Sequence, residues 1–285
     1  MNVLVTGGAG FVGTNLIKQL LKDGHNVVSI DNYSSGKMQN HQDGCRYWNY
    51  DLSRLPCPVL ERNEYDIIYH LGALARIQPS LKDPHKTIFN NFVSTLNVLE
   101  CARKNKIKFV YAGSSSFHHG LYSSSYAWSK YGGEELCKLY SEVYDVSTVI
   151  CRFYNVYGPH QLEDGNYATV IGIFEKQYRE VEPLTITADG KQRRDFTHVD
   201  DIVDALVLCT GKEFKAEIFE LGSGVNYSIN EVADMFDKYY IKEYIPARKG
   251  EYDRTLCDYS KAQLKLGWKP TRNLEDYIDK IKLHG

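Results

Sequence analysis

Ser114-Ser115-Ser116, nine intervening residues and Tyr126-Ala127-Trp128-Ser129-Lys130 bring hydroxyls, a phenol and an ammonium together within one short stretch. Tyr126 and Lys130 are four apart, so a helix sets them side by side on one face. A neighbouring ammonium favours the phenolate and lowers the phenol's pKa. A phenol near pKa 10 is a poor base at pH 7, whereas one shifted downward can take a proton from an alcohol. A serine hydroxyl can hydrogen-bond the same oxygen. This is the reactive centre expected of a nicotinamide-dependent enzyme acting on an alcohol. The chain has 22 Tyr, so the spacing alone fits an exposed helix pair equally well. The elements that carry these residues decide between the two readings.

Lys108 to Ala112 reads as the strand that delivers the serines, and Tyr126 to Tyr144 as the helix that carries the Tyr/Lys pair. Val146 to Phe153 reads as the next strand. Upstream, Asn2 to Thr6 is a short apolar strand followed by Gly7-Gly8-Ala9-Gly10-Phe11-Val12-Gly13. Thr14 to Asp23 then has helical apolar spacing at Leu16, Ile17, Leu20 and Leu21, and Val27 to Ile30 is a second strand ending at Asp31. Strand, glycine turn, helix, strand and acid make a dinucleotide-binding βαβ unit. Glycines allow a tight turn close to a pyrophosphate, and the helix N-terminus offers free N–H groups to it. A carboxylate at Asp31 accepts hydrogen bonds from a ribose 2′-OH and repels a 2′-phosphate, which predicts NAD rather than NADP, although Lys37 lies nearby. Asp66 to Leu71 is a further strand and Thr87 to Lys104 a further helix. The alternation predicts an α/β fold, a Rossmann-type doubly wound parallel sheet, with ligands beyond the carboxyl ends of its strands. Gly7 to Gly13, Asp31, His70 to Ala75 and Ser114 to Ser116 all fall at such ends. That convergence favours the chemical reading of Tyr126 and Lys130.

The bulk properties exclude several classes. With 285 residues the chain can form one or two domains. It is 43% hydrophobic and 25% charged with a net charge of −2, so it has no basic footprint for nucleic acid. No apolar run approaches the roughly 20 residues that span a bilayer. The start, Met1-Asn2-Val3-Leu4-Val5-Thr6, runs directly into a strand without a basic n-region, so no secretory signal is expected. The seven cysteines are scattered and odd in number, which fits reduced thiols and a cytoplasmic location. Their spacing, with that of the histidines, suggests no metal site.

Taken in order, the motifs resemble the extended short-chain dehydrogenase/reductase family, specifically its nucleotide-sugar epimerase and dehydratase group. Thr6-Gly7-Gly8-Ala9-Gly10-Phe11-Val12-Gly13 matches the family's Thr-Gly-x-x-Gly-x-x-Gly. Asp31-Asn32-Tyr33-Ser34-Ser35-Gly36-Lys37 resembles its ribose-binding segment, and Asp51-Leu52 stands where the family contacts adenine. His70-Leu71-Gly72-Ala73 resembles its His-x-Ala-Ala segment, and Asn91 opens its Asn-x-x-Gly-Thr helix with Ser94 in place of Gly. Arg152 to Pro159, Arg194 to Asp201, Arg248-Lys249-Gly250-Glu251 and Gly267-Trp268-Lys269-Pro270 are similar to group-specific segments. The resemblance implies that Gly7, Gly10, Phe11, Val12 and Gly13 bind NAD, together with Asp31, Asn32, Ser35, Gly36, Asp51 and Leu52. It adds Leu71, Ala73, Ala75, Asn91, Tyr126, Lys130 and Tyr154 to that role.

The resemblance also implies a smaller C-terminal α/β domain for a nucleotide sugar. Residues 1–157, with 188–221 returning, would bind NAD, and 158–187 with 222–285 would bind the substrate. Asn155 would contact the diphosphate, Arg194 and Arg248 would clamp its oxygens, and Glu251 would meet the ribose. Thr169, Val170, Thr185 and Thr187 would line the base pocket, and Ser115 and Ser116 would face the sugar. Tyr126, Lys130 and Ser114 would be catalytic. Pairing of two copies through the helices at 87–104 and 126–144 is implied as well.

Dehydratases of the group carry an Asp-Glu pair after the first hydroxyl residue, and decarboxylating relatives carry Glu two places after it. Here Ser115 and Ser116 occupy those positions. That substitution points to 4-epimerisation of a nucleotide sugar, a UDP-sugar foremost. A dehydratase, decarboxylase or reductase of the same family and a non-catalytic NAD-binding regulator are the alternatives. Thr255 lies where 4-epimerases gate the sugar's C2 substituent, and its small size leaves room for an N-acetyl group. The segment from Ser116 to Tyr126 is shorter than in most relatives, and His118-His119-Gly120 replaces the usual Tyr-Gly, which predicts a more open site.

Overall fold

The structure is a computed structural model and describes residues 1–62, 64–250 and 252–284. Seven strands form the central sheet, in the order Lys215–Leu221, Thr148–Phe153, Lys108–Ser114, Ile67–His70, Asn2–Thr6, Asn26–Asp31 and Arg46–Asn49. Every neighbouring pair is parallel. The strands are apolar nearly throughout because both faces are covered. Side chains alternate between those faces. Val3, Val5, Ile67, Tyr69, Val110 and Val149 join one core cluster, while Leu4, Ile68, Phe109, Tyr111 and Ile150 join the other. A third core, including Tyr157, Ile171, Phe174, Leu184, Ile186, Val232 and Ile278, is built by residues 157–196 and 229–278.

Helix α1 (Phe11–Lys22) follows the first strand. The chain order reverses on either side of Asn2–Thr6, so the carboxyl ends of that strand and of Ile67–His70 flank the crevice where such sheets hold ligands. The helix expected at 87–104 is instead three pieces: Pro84–Ile88, a π-helical turn at Phe89–Val93, and Ser94–Asn105. The wide turn coincides with Asn91, whose carbonyl accepts from the hydroxyls of Ser94 and Thr95. π-Turns of this kind form where side chains compete for the helical ladder. The strand at Arg46–Asn49 has no apolar signature because it is the sheet's edge and half-exposed. Ala262, Leu266 and Trp268, from a stretch expected to belong with the substrate-binding segment, pack into the core beneath the sheet. Trp268 Nε1 also donates to the Asp201 carbonyl at 2.8 Å.

Candidate active site

One cleft of about 790 Å³ runs along the carboxyl edge of the sheet and is closed on its far side by residues between 162 and 196 and between 248 and 255. At one end lies the glycine turn. Gly7 has φ +71°, and a Cβ there would stand 2.8 Å from the Gly72 backbone. A Cβ on Gly13 would stand 2.2 Å from the Gly7 carbonyl oxygen. Only bare backbone packs this tightly, and it leaves the N-terminus of α1 open to the cleft. Asp31 sits at the end of its strand and accepts from the N–H groups of Ala9 (3.0 Å) and Tyr33 (2.8 Å). Burial raises its pKa against the pull of those two donors. Gly7, Gly10, Phe11, Val12, Gly13, Asp31, Asn32, Ser35, Asp51, Leu52, Leu71, Ala73 and Ala75 all line this end. A cradle without side chains over a helix N-terminus, with a carboxylate at the second strand, fits a dinucleotide with a free ribose 2′-OH.

Gly36, Asn91, Tyr154 and Lys130 do not form part of the wall. Asn91 is buried and holds it from behind: its Oδ1 accepts from Leu74 N at 2.7 Å, and its Nδ2 donates to the Leu74 carbonyl and to Ser129 Oγ. Tyr154 is buried with its hydroxyl on Glu220, 3.0 Å away. His70, at the end of its strand, bridges Thr6 and Thr95 through its two ring nitrogens, and burial pushes its pKa down to about 3.

The middle of the cleft brings Ser114, Ser115, Ser116 and Tyr126 together. Ser114 ends its strand and caps the following 3₁₀ turn, Ser115–His119. Its Oγ accepts from Ser116 N (3.2 Å), Ser116 Oγ (2.9 Å) and Tyr126 Oη (3.3 Å). Tyr126 stands in the first turn of helix Ser125–Tyr144, which Ser124 caps by accepting from Ala127 N. Burial raises the Tyr126 pKa, and the Ser114 hydrogen bond and the Arg76 guanidinium oppose that rise. Lys130 is one turn on, as its spacing requires, but its Nζ lies 4.4 Å from the centroid of the Tyr111 ring. Burial brings Lys130 down to about 8.

At the far end Asn155, Thr169, Val170, Thr185, Thr187, Arg194 and Arg248 all line the wall. Asn155 Nδ2 is committed to the Asp195 carbonyl (2.8 Å) and Thr255 Oγ1 (3.2 Å). Thr255 is buried, lines the cleft and also accepts from Asp195 N at 2.9 Å. Thr169 caps helix Val170–Arg179 by accepting from Gly172 N. Asp195 ties the floor together, its carboxylate accepting from Ser223, Gly224 and Cys257. Glu251 lies outside the described residues. Arg76 and Tyr252 line the cleft without having been singled out in the sequence. No motif marks either one: Arg76 follows a strand end in a loop, and Tyr252 is one of many tyrosines. In the short segment before Tyr126 the His119 ring stacks on Tyr252, a residue of the cleft wall, with centroids 4.4 Å apart. Among the described residues no cluster of three or more His, Cys, Asp or Glu could hold a metal ion, and no helix is long and apolar enough to cross a membrane.

A family model described as the NAD dependent epimerase/dehydratase family matches residues 3–222. The chain is 32% identical to a UDP-glucose 4-epimerase of Mycolicibacterium smegmatis, covering 98% of this chain and 97% of that protein. It is 32% identical to a UDP-N-acetyl-alpha-D-glucosaminuronate decarboxylase of Bacillus cytotoxicus, over 81% of this chain and 77% of that one. Among solved structures, it is similar to a UDP-glucuronic acid 4-epimerase of Bacillus cereus in complex with UDP-glucuronic acid and NAD, with a TM-score of 0.90, 30% identity and full coverage of both chains.

Proposed function

The chain belongs to the NAD dependent epimerase/dehydratase family, and from that premise we propose that it is a nucleotide-sugar 4-epimerase acting on a UDP-sugar. One observation carries the reading. Among the described residues of the cleft wall the only carboxylates are Asp31 and Asp51, both at the dinucleotide end, while Ser114, Ser115, Ser116 and Tyr126 bring only hydroxyls to the middle of the cleft. Eliminating water from a 4-keto sugar needs an acid to protonate the leaving hydroxyl, and among the described residues of the cleft wall no carboxyl group stands beside Tyr126. A keto sugar formed there has return of hydride as its simplest outcome, to the same face or, after the ring turns over, to the opposite one.

NAD, held along Gly7–Gly13 and by Asp31, supplies a hydride acceptor that becomes the donor on return. The chain's own residues do the rest. Tyr126 takes the proton of the sugar 4-hydroxyl and gives it back to the product. Ser114 Oγ is held next to the phenol by Ser116 and Tyr126, where its hydroxyl can hydrogen-bond the same sugar oxygen. Arg194 and Arg248 hold the diphosphate, Asn155 and Thr255 shape the sugar end, and Thr169, Val170, Thr185 and Thr187 enclose the base. In this reading 1–157 and 188–221 form the NAD-binding unit, 158–187 and 222–285 form the nucleotide-sugar unit, and 260–268 anchor the second onto the first. Two copies pair through the exposed apolar side chains of Phe89, Trp128, Leu139 and Val143.

The test is incubation with NAD and UDP-glucose, UDP-N-acetylglucosamine, UDP-glucuronate or their 4-epimers, with products read by NMR. Interconversion of a 4-epimeric pair without net NADH supports the reading. Failure to convert any member sinks it, and stoichiometric use of added NADH would make the protein a reductase.

A further inference from the structure

Arg248 stands on a stretch of the far wall, residues 246–250, that is lightly held. Arg248 and Lys249 are exposed. Among the described residues one hydrogen bond reaches 246–250: Gln78 Nε2 donates to the Lys249 carbonyl at 2.7 Å. Gln78 comes from the helix Ile77–Lys82, which follows the strand Ile67–His70 of the central sheet, so the bond crosses the cleft. Gly250 packs on the same helix, where a Cβ would lie 3.1 Å from Ile77 Cγ2 and 3.8 Å from Leu81 Cδ1. The stack of His119 on Tyr252 holds the chain only beyond Arg248.

The helix Ile77–Lys82 is itself tied to the helix that carries Tyr126. Its Ser80 is buried, and the Ser80 carbonyl accepts from Ser125 Oγ at 2.6 Å. Ser125 is the residue before Tyr126 and opens the helix Ser125–Tyr144. Just ahead of Ile77, Arg76 Nε donates to the Tyr167 carbonyl at 3.1 Å, close in the chain to Thr169. One helix of six residues thus connects the start of the Tyr126 helix with the two stretches that carry Arg248 and Thr169.

We propose that Gln78 is a positioning residue for phosphate binding: its bond to the Lys249 carbonyl holds the Arg248 guanidinium where a nucleoside diphosphate is gripped. This rests on Arg248 as a diphosphate ligand of the proposed function. A loop tethered by a single hydrogen bond opens locally once that bond is removed. The net worth of one such bond corresponds to a factor of about three to ten in the population of the closed loop. A ligand that needs the closed loop then binds more weakly by up to that factor, while one that makes no use of Arg248 is unaffected.

The experiment uses the NAD-loaded protein, its Gln78→Met and Arg248→Ala variants and the double variant, with UDP and uridine as probes in titration calorimetry. Gln78→Met is expected to weaken UDP about three- to tenfold and to leave uridine, which has no phosphate, within about twofold. In the Arg248→Ala background the same substitution is expected to change UDP binding by no more than about twofold, because the group it positions is gone. If Gln78→Met does not fold, Gln78→Leu carries the same comparison. Unchanged UDP binding in a folded, donor-free variant overturns the proposal. Equal losses for UDP and uridine also overturn it and make Gln78 a support of the whole pocket. A full loss that persists without Arg248 overturns it as well and makes Gln78 a ligand in its own right. A parent that binds UDP but converts no UDP-sugar would defeat the proposed reaction, and the same titrations would still decide the role of Gln78. A parent that does not bind UDP would defeat both.

Discussion

Tyr126 Oη donates to Ser114 Oγ at 3.3 Å, joining the phenol on the helix to the hydroxyl at the end of the neighbouring strand. Ser116 donates to the same oxygen twice, so Ser114 is held in one orientation. Tyr126→Phe is expected to lower kcat by about 10³, because the proton acceptor is gone. Ser114→Ala is expected to lower it by about 10² with the base intact. Both are read as initial epimerisation rates, and a Tyr126→Phe protein with parental kcat would exclude this centre from the reaction.

Asp31 binds two backbone N–H groups and faces the cleft. Asp31→Asn keeps an acceptor but removes the charge that repels a 2′-phosphate. The preference for NAD over NADP is expected to shrink by about tenfold, on the scale of one hydrogen bond to a charged group. Titration calorimetry with each dinucleotide checks it, and an unchanged ratio would remove Asp31 from cofactor choice.

Gly13 has no room for a methyl group, since a Cβ would lie 2.2 Å from the Gly7 carbonyl oxygen. Gly13→Ala should destabilise the protein by about 1–3 kcal/mol through overpacking and weaken NAD binding at the same time. Thermal unfolding with and without NAD separates the two losses. A normal ligand-induced rise in Tm would show that the turn can re-form around the methyl.

The Arg152 and Glu134 side chains are almost fully buried and paired at 2.6 Å, and Arg152 also holds Glu220 at 2.9 Å. Arg152→Met leaves Glu134 buried without a partner, an expected loss of about 3–5 kcal/mol in denaturant unfolding. Arg152→Met with Glu134→Leu should be the milder change, because no charge is stranded. Equal losses in the single and double variants would contradict the assignment of the cost to the unpaired carboxylate.

Buried His70 gives the protein an acid sensitivity of predictable sign. Its folded pKa of about 3 lies below the ordinary 6.5, so between those values the unfolded chain binds a proton that the folded one refuses. The associated stability is complete above pH 6.5 and is lost as pH falls toward 3, at about 1.4 kcal/mol per unit at most. His70→Gln should flatten that slope by up to one proton in unfolding measured from pH 7 to 4. An unaltered slope would show that His70 is protonated in the fold.

Where local pattern and burial agree, the chain can be read directly. Apolar strand, glycine turn and amphipathic helix from Asn2 to Asp31 can satisfy their backbone and bury their side chains in only one way, and that unit forms as expected. The serines and Tyr126 were legible because they sit at the ends of such elements. The spacing also places Lys130 one helical turn from Tyr126, but it gives no sign of the Tyr111 ring on the neighbouring strand that its ammonium lies over. Arg76 and Tyr252 were silent because their meaning comes from walls that meet only in three dimensions. The π-turn at Phe89–Val93 was hidden for a related reason, since it coincides with the contacts of Asn91 to Leu74 and Ser129, distant in sequence.

The stack of His119 on Tyr252 gives the segment between Ser116 and Tyr126 a role that its length concealed. A long loop defines a boundary through many residues, and altering it means altering several at once. Here the Tyr252 ring is part of the wall and the His119 ring packs behind it, so a change in either one is expected to resize the adjoining space without touching the hydroxyls of Ser114 and Tyr126. In the proposed reaction, selectivity and chemistry then rest on separate side chains, and one can drift while the other stays fixed.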